Sequence, residues 1–381
     1  MNTPSIFVSC PKNLETLLLQ EIQGLGITQA RLGHLGVFVD EMDLSTVYLL
    51  NYGLRLASRV LLPLFRFRCS GKEALYRQAK AWEWNRWIHP HQTFAIDAHV
   101  HQNPGFTNSL YAALVLKDAI CDEIREKTGE RPSVSLKDPD VQLHLFLQGE
   151  QAIVSLDTSG QPLYKRGYRQ EGGVAPLQEN LAAALLQIAG YRGQEALFDP
   201  CCGSGTILLE AALMATDTPP GYLRSHWGFM RHPDFVQADW LSVKGRLDAK
   251  RKSILPAPIG GVDISGEAIL AAKHNIKLAQ FSGPSLVQVR PADFTSYKVP
   301  FVPNLVVTNP PYGKRLGDPL SLQPLYRALG RWMKETLPKG GRGFLFTASS
   351  TLAKEVGLAA KRRHLLFQGS EEARLLEYDF F

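Results

Sequence analysis

Past residue 170 the chain alternates short apolar runs with longer helical patterns, and few folds accept that alternation. The runs are Ala196-Leu197-Phe198, Ile259 to Val262, Leu286 to Val289, Leu305 to Thr308 and Gly343 to Thr347. Short apolar strands separated by helices belong to a mostly parallel sheet covered on both faces, so a doubly wound α/β domain is expected. The stretch between the runs at 196 and 259 is long for one crossover. Pro219-Pro220-Gly221, Trp227, Trp240 and Pro256 within it mark an inserted subelement.

The chain before residue 160 reads differently. Ile6-Phe7-Val8 predicts a strand, Leu14 to Leu25 a helix behind Pro11, Leu35 to Val39 a strand, Leu44 to Leu56 a helix, and Val60 to Phe67 a strand broken by Pro63. An amphipathic helix is expected from Gly71 to Trp87, an alternating strand from Thr93 to His101, a long helix from Ser109 to Lys127, and strands at Val141 to Leu147 and Ala152 to Leu156. Two small α/β units follow from this order, and 381 residues suffice for them plus the larger domain.

Composition closes other routes. At 45% apolar and 20% charged residues the chain is neither disordered nor fibrous. No apolar run approaches the roughly 20 residues of a membrane helix, and the N-terminus MNTPSIFVSCPKN lacks the pattern of a secretory signal, so a cytoplasmic protein without a membrane partner is expected. Five irregularly spaced cysteines without paired CxxC motifs read as free thiols. The net charge of +6 permits a polyanionic partner, and Lys250-Arg251-Lys252 and Lys361-Arg362-Arg363 read as solvated helix faces.

Four segments carry chemistry. Asp199-Pro200-Cys201-Cys202-Gly203-Ser204-Gly205-Thr206 joins an apolar strand to a helix, with glycines that let the backbone turn and approach a nucleotide-like ligand beside free N–H groups. Position 208 is Leu, which removes the dinucleotide fingerprint, and an acidic residue opening the loop suits a ligand with an ammonium group, as in the methionine part of S-adenosylmethionine. Asp263 closes the next strand in Gly260-Gly261-Val262-Asp263-Ile264, where such folds hold ribose hydroxyls, and Asp293 with Phe294 follows the strand after it. The fourth segment is Asn309-Pro310-Pro311-Tyr312 after the Leu305–Thr308 strand. Two prolines fix φ and delete two N–H donors, leaving carbonyls as unopposed acceptors for an exocyclic amine, with Tyr312 stacked on its base.

These residues resemble class I S-adenosylmethionine-dependent methyltransferases of exocyclic amines, whose signature is (D/N/S)PP(Y/F/W). Leu163 to Arg169, Ala175 to Ala182 and Asn309 to Gly317 look specifically like the bacterial THUMP-containing RNA guanine-N2 methyltransferases, and the resemblance covers nearly the whole chain. It implies a ferredoxin-like segment (1–66), a THUMP-like RNA-binding domain (67–160) and a Rossmann-like methyltransferase domain (161–381), acting on RNA, most of all ribosomal RNA of the large subunit. It further implies cofactor contacts from Asp199, Cys201, Gly203, Ser204, Gly205, Asp263, Ile264, Asp293, Phe294 and Asn309, and catalysis by Asn309, Pro310, Pro311 and Tyr312.

The rival readings are N6-adenine methylation of DNA or RNA, guanine-N2 methylation of transfer RNA, and an inactive scaffold that only binds RNA. Asp97, His99 and His101 share one strand face near His89 and His91, but a histidine-rich surface strand serves a THUMP-like domain equally, so no metal is expected. The vicinal Cys201-Cys202 suits packing in the cofactor loop better than nucleophilic chemistry. The oligomeric state stays open.

Overall fold

The computed structural model describes residues 5–169, 177–280, 287–312 and 319–381. The N-terminal elements are β1 (Ile6–Ser9), α1 (Glu15–Gly24), β2 (Ala30–Gly33), β3 (Gly36–Val39), α2 (Leu44–Gly53) and β4 (Arg59–Arg68). After them come α3 (Lys72–Lys80), β5 (Thr93–His101), α4 (Ser109–Thr128), β6 (Ser133–Val134), β7 (Val141–Gln148) and β8 (Gln151–Asp157). The C-terminal half holds α5 (Glu179–Ile188), β9 (Leu197–Asp199), α6 (Thr206–Ala215), α7 (Gln237–Asp248), β10 (Ile259–Asp263), α8 (Gly266–Leu278), β11 (Val287–Pro291) and β12 (Leu305–Thr308). It ends with α9 (Gln323–Thr336), β13 (Arg342–Thr347), α10 (Ser350–Glu355), β14 (Arg362–Gln368) and β15 (Glu371–Asp379).

The strands form two sheets. One has eight strands in the order β2-β3-β1-β4-β8-β7-β5-β6, and the other has seven in the order β11-β10-β9-β12-β13-β15-β14. The expected doubly wound sheet is the second: β9 to β13 run parallel, and β15 and β14 add an antiparallel hairpin at one edge. That hairpin carries Arg362 and Arg363, so this basic cluster begins a strand and is not a helix face.

The two small units anticipated at the N-terminus share one continuous sheet. β4 pairs with β1 on one side and β8 on the other, bending at a register shift between Pro63 and Phe65 where a ladder donor is missing. The apolar cores divide elsewhere. Phe94, Leu116, Ile120, Leu143, Leu145 and Val154 centre one core under α3 and α4. The other joins Ile6, Val8 and Leu50 of the N-terminal segment to Leu181, Leu185 and Leu208 of the catalytic half. The expected helix from Gly71 to Trp87 stops at Lys80. There the Trp84 indole N–H donates to the Ala79 carbonyl (2.7 Å), and a single 3-10 turn follows at Trp84–Arg86.

The inserted subelement packs back on α2. Trp227 stacks on Phe229 (5.5 Å), Tyr48 lies 4.7 Å from Phe229, and Trp240 meets Tyr52 edge-on at 5.3 Å. Beside it Asn51 donates to Thr158 Oγ1 and accepts from Ser159 Oγ, both at 2.8 Å, which ties α2 to the end of β8. No helix among the described residues is long and apolar enough to cross a membrane.

The most buried ionic contact in this junction is Arg166–Glu210, at 3.4 Å with both side chains 1% exposed or less. Tyr168 donates to Glu210 Oε1 (2.9 Å), and Arg166 donates to the carbonyls of Leu163 (2.8 Å) and Arg55 (2.5 Å). Removing one member strands the other without water, at a cost of about 3–5 kcal/mol. Glu210→Ala is therefore expected to lower the urea midpoint of the full chain sharply and Glu210→Gln, which keeps the shape and an acceptor, to lower it less. Equal midpoints for wild type and Glu210→Ala would contradict this role.

Candidate active site

Strand order reverses between β9 and β12: β10 and β11 extend the sheet one way, β12 and β13 the other. A crevice forms at the carboxyl ends of strands at such a switch, and the expected residues gather there. Asp199 ends β9, Asp263 ends β10, Asp293 follows β11 and Asn309 follows β12.

Asp199 is 1% exposed. Its Oδ1 accepts from the Cys201 N–H (3.0 Å) and from Thr308 Oγ1 (2.7 Å). Burial pushes its carboxyl up to about 7, Asp263 adds to the rise, and the two hydrogen bonds only partly offset it. A cationic group brought beside Asp199 would restore its charge.

Asp263 organises the glycine loop. Its Oδ2 accepts from the Gly203 N–H and its Oδ1 from the Ser265 N–H, both at 2.9 Å. Asn275 of α8 donates to the Ser204 carbonyl (3.1 Å), and the Cys202 N–H donates to the Val262 carbonyl (2.9 Å). Gly203 and Gly205 have φ of +52° and +83°, and a Cβ on Gly203 would meet nothing within 4 Å, so the loop leaves an open cradle there. Gly261 is required for a different reason: a Cβ would lie 2.8 Å from the Asp199 carbonyl. Ile264, beside Asp263, is 81% exposed and offers a free apolar face.

Asp293 is exposed, and its Oδ1 accepts from the Thr295 N–H (2.9 Å) and hydroxyl (2.7 Å). The Phe294 ring is buried edge-on against Trp332 at 5.8 Å, so it anchors the loop to α9.

In the tetrapeptide, Asn309 Oδ1 is buried with no hydrogen-bond partner among the described residues. The Pro311 carbonyl accepts from Tyr326 Oη (3.3 Å), which also contacts Thr347 Oγ1 (3.0 Å). Tyr312 donates to Gln368 Oε1 (2.5 Å), and its ring stands edge-on to Phe346 at 6.3 Å. Thr308, Tyr326 and Gln368 were not identified from sequence. Thr308 adjoins the tetrapeptide, whereas Tyr326 and Gln368 reach it only through the sheet's C-terminal half. Gly313 to Gly317, Ala175, Pro176 and Leu286 lie outside the described residues.

Cys201 and Cys202 are free thiols held well above their ordinary value, by burial first and then by Asp199 and Asp263. Protonated thiols are poor nucleophiles, which argues against thiol chemistry in this loop.

Three family models match this chain. The profile of RMKL-like methyltransferase domains matches residues 166–375, the THUMP domain residues 70–157, and the RlmL ferredoxin-like domain residues 5–61. Proteins named ribosomal RNA large subunit methyltransferase K/L are 37% identical over 381 residues in a Marinomonas species and 40% over 387 in Methylococcus capsulatus. These alignments cover 97% and 99% of this chain but 52% and 51% of the relatives, so the chain spans about half the length of the curated relatives it matches. Among solved structures, a chain described as a predicted N6-adenine-specific DNA methylase from Listeria monocytogenes superposes with a TM-score of 0.86 at 25% identity, covering 100% of this chain and 97% of that one. A possible methylase from Clostridium difficile gives 0.84 at 26%, covering 99% and 98%.

The raised carboxyl of Asp199 makes a signed prediction. A group whose pKa is higher folded than unfolded contributes stability that is complete below its unfolded value, about 4, and is lost as pH rises through about 7. Wild type should lose thermal stability relative to Asp199→Asn between pH 5 and 8, with the Tm difference levelling off above. A difference independent of pH over that range would show that Asp199 does not titrate there.

Proposed function

From the premise that this chain belongs to the family of RMKL-like methyltransferase domains, we propose that it transfers the methyl group of S-adenosylmethionine to the exocyclic N2 of guanine in large-subunit ribosomal RNA. The carrying observation is Asn309 Oδ1, a buried acceptor without a donor among the described residues, at the carboxyl end of β12. A buried acceptor left unpaired costs about 1–3 kcal/mol, a cost that a bound amine would relieve.

The residues fit the cofactor. Asp199 is buried where an ammonium group would restore its charge, and the open face of Gly203 leaves room for a ligand to approach the backbone, while Gly205 lets the loop pack closely on Ala272 of α8. Asp263 has acceptor capacity left for ribose hydroxyls beyond its two amide contacts. Ile264 and the Asp293-Phe294 turn flank the position for an adenine, and Cys201 lines the loop. S-adenosylmethionine supplies a sulfonium methyl that needs no covalent enzyme intermediate.

The tetrapeptide then receives the acceptor. Asn309 Oδ1 and the Pro310 carbonyl would accept hydrogen bonds from the two amine hydrogens and so orient the nitrogen lone pair, the transfer breaking the S–CH3 bond to leave S-adenosylhomocysteine and releasing one amine proton to solvent, while Pro311 is held from behind by Tyr326. Tyr312 presents its ring to the base, because its hydroxyl is engaged by Gln368. A guanine N2 inside a helix is badly placed for in-line attack, so the base is expected to be flipped into this cleft. Residues 1–66 and 67–160 would hold the RNA, and 161–381 would perform the transfer. Ribosomal RNA as substrate places the reaction in the cytoplasm.

Asn309→Ala is expected to bind cofactor close to normally in calorimetry and to lose roughly 10²–10³ in turnover, as when one polar transition-state contact is deleted. Mass spectrometry of nucleosides from treated ribosomal RNA should show N2-methylguanosine with wild type and almost none with the variant. N6-methyladenosine in its place would overturn the base assignment. Cys201→Ala and Cys202→Ala should each retain substantial transfer, and a folded but wholly inactive single variant would point to thiol chemistry.

A further inference from the structure

The histidines of β5 find a partner that sequence proximity does not suggest. β5 and β7 run parallel with Asp97 opposite His144 and His99 opposite Phe146. Asp97, His99 and His101 therefore share the sheet face that carries His144, away from Leu143 and Leu145, which enter the core beneath α3 and α4. Asp97, His99 and His144 each place one ligand atom within 4.8 Å of the others. His99 Nδ1 stands 3.1 Å from His144 Nε2, with the two rings 5.1 Å apart and inclined by 24°. Among the described residues His101 is not part of this group, and His89 and His91 stack on each other instead, at 5.8 Å.

We propose that Asp97, His99 and His144 form a binding site for one divalent first-row transition-metal ion of the zinc class. Two nitrogens 3.1 Å apart, each at the usual 2.0–2.1 Å from an ion, subtend about 95–102°, between octahedral and tetrahedral values. Two imidazoles and one carboxylate suit zinc, nickel or cobalt over magnesium or calcium, which prefer oxygen ligands throughout. Asp97 and His99 are exposed and His144 half-buried, so an ion can enter from solvent and keep open positions toward it. The site bridges two strands, and bound metal would clamp β5 to β7. It is independent of the methyl-transfer reading, since none of its residues belongs to the β9–β12 loops.

The test uses the full chain freed of metal by chelation. Titration with zinc in a calorimeter, and with cobalt followed by visible absorbance, should show one site in wild type that weakens at least tenfold in His144→Ala and in His99→Ala. His101→Ala, on the same face but outside the triad, should match wild type. Zinc should also raise the Tm of wild type and His101→Ala but not of His99→Ala, as mass action requires of a ligand of the folded state. His99 is exposed, so its substitution tests the site without threatening the fold. Equal zinc affinity in wild type, His99→Ala and His144→Ala would overturn the proposal, as would a wild type that takes up neither metal.

Discussion

A carboxylate sealed from water must have its charge answered by its neighbours, and Glu210 meets that condition where the N-terminal segment joins the catalytic half. Its answers come from Arg166 and Tyr168, on the segment that leads from the N-terminal sheet into the catalytic half. Arg166 also reaches the Arg55 carbonyl, while Arg55 donates to the carbonyls of Leu213 and Thr218, and Glu21 accepts from the N–H groups of Arg55 and Leu56. Glu210 lies on α6, the helix whose N-terminus follows directly on Gly205. The network therefore fixes the N-terminal segment to the element that carries the glycine loop.

The two ways of dividing this chain, by sheet and by core, give different answers. Backbone pairing runs unbroken from β2 to β6 through the β4–β8 ladder. Apolar packing separates Leu143, Leu145 and Val154 from the large core that unites Ile6 and Val8 with Leu181 and Leu185. Cutting the chain near residue 160 would thus expose one side of a continuous core. The first β-α loop also touches the far edge of the catalytic sheet, where Asn13 donates to the Leu365 carbonyl (3.2 Å) and Lys12 lies over Phe367 at 4.5 Å. If the N-terminal units hold RNA as proposed, they hold it in fixed relation to the strand ends.

Where local pattern and tertiary packing agree, the sequence was legible. β5 and β12 have the bounds that alternation and apolar continuity predict, and the acidic strand ends converge because a parallel sheet puts successive carboxyl ends on one edge. Agreement failed where the signal was non-local. β2 is Ala-Arg-Leu-Gly, too polar and short to announce itself, and is a strand because β3 offers it a ladder. The β14–β15 hairpin begins in a basic run whose helical reading was reasonable until β13 supplied an antiparallel edge. His144 sits beside Asp97 and His99 through strand register alone, which no window of sequence contains.

The hairpin matters for the site as well as for the sheet edge. Gln368 ends β14 and accepts from the Tyr312 hydroxyl, while Tyr326 supports the Pro311 carbonyl from α9. The tetrapeptide is thus braced by elements that follow it in the chain, while the glycine loop is braced by Asp263 and Asn275. Bracing of both sides leaves little reorganisation for the moment of reaction. Within this frame Thr308 occupies the join: its hydroxyl donates to Asp199 while the next residue, Asn309, holds an acceptor in reserve. One strand end therefore sets the position of the acidic loop residue and of the amide proposed to orient the amine. The distance between the proposed cofactor and acceptor sites is consequently fixed by β9 and β12 as sheet neighbours rather than by either loop alone.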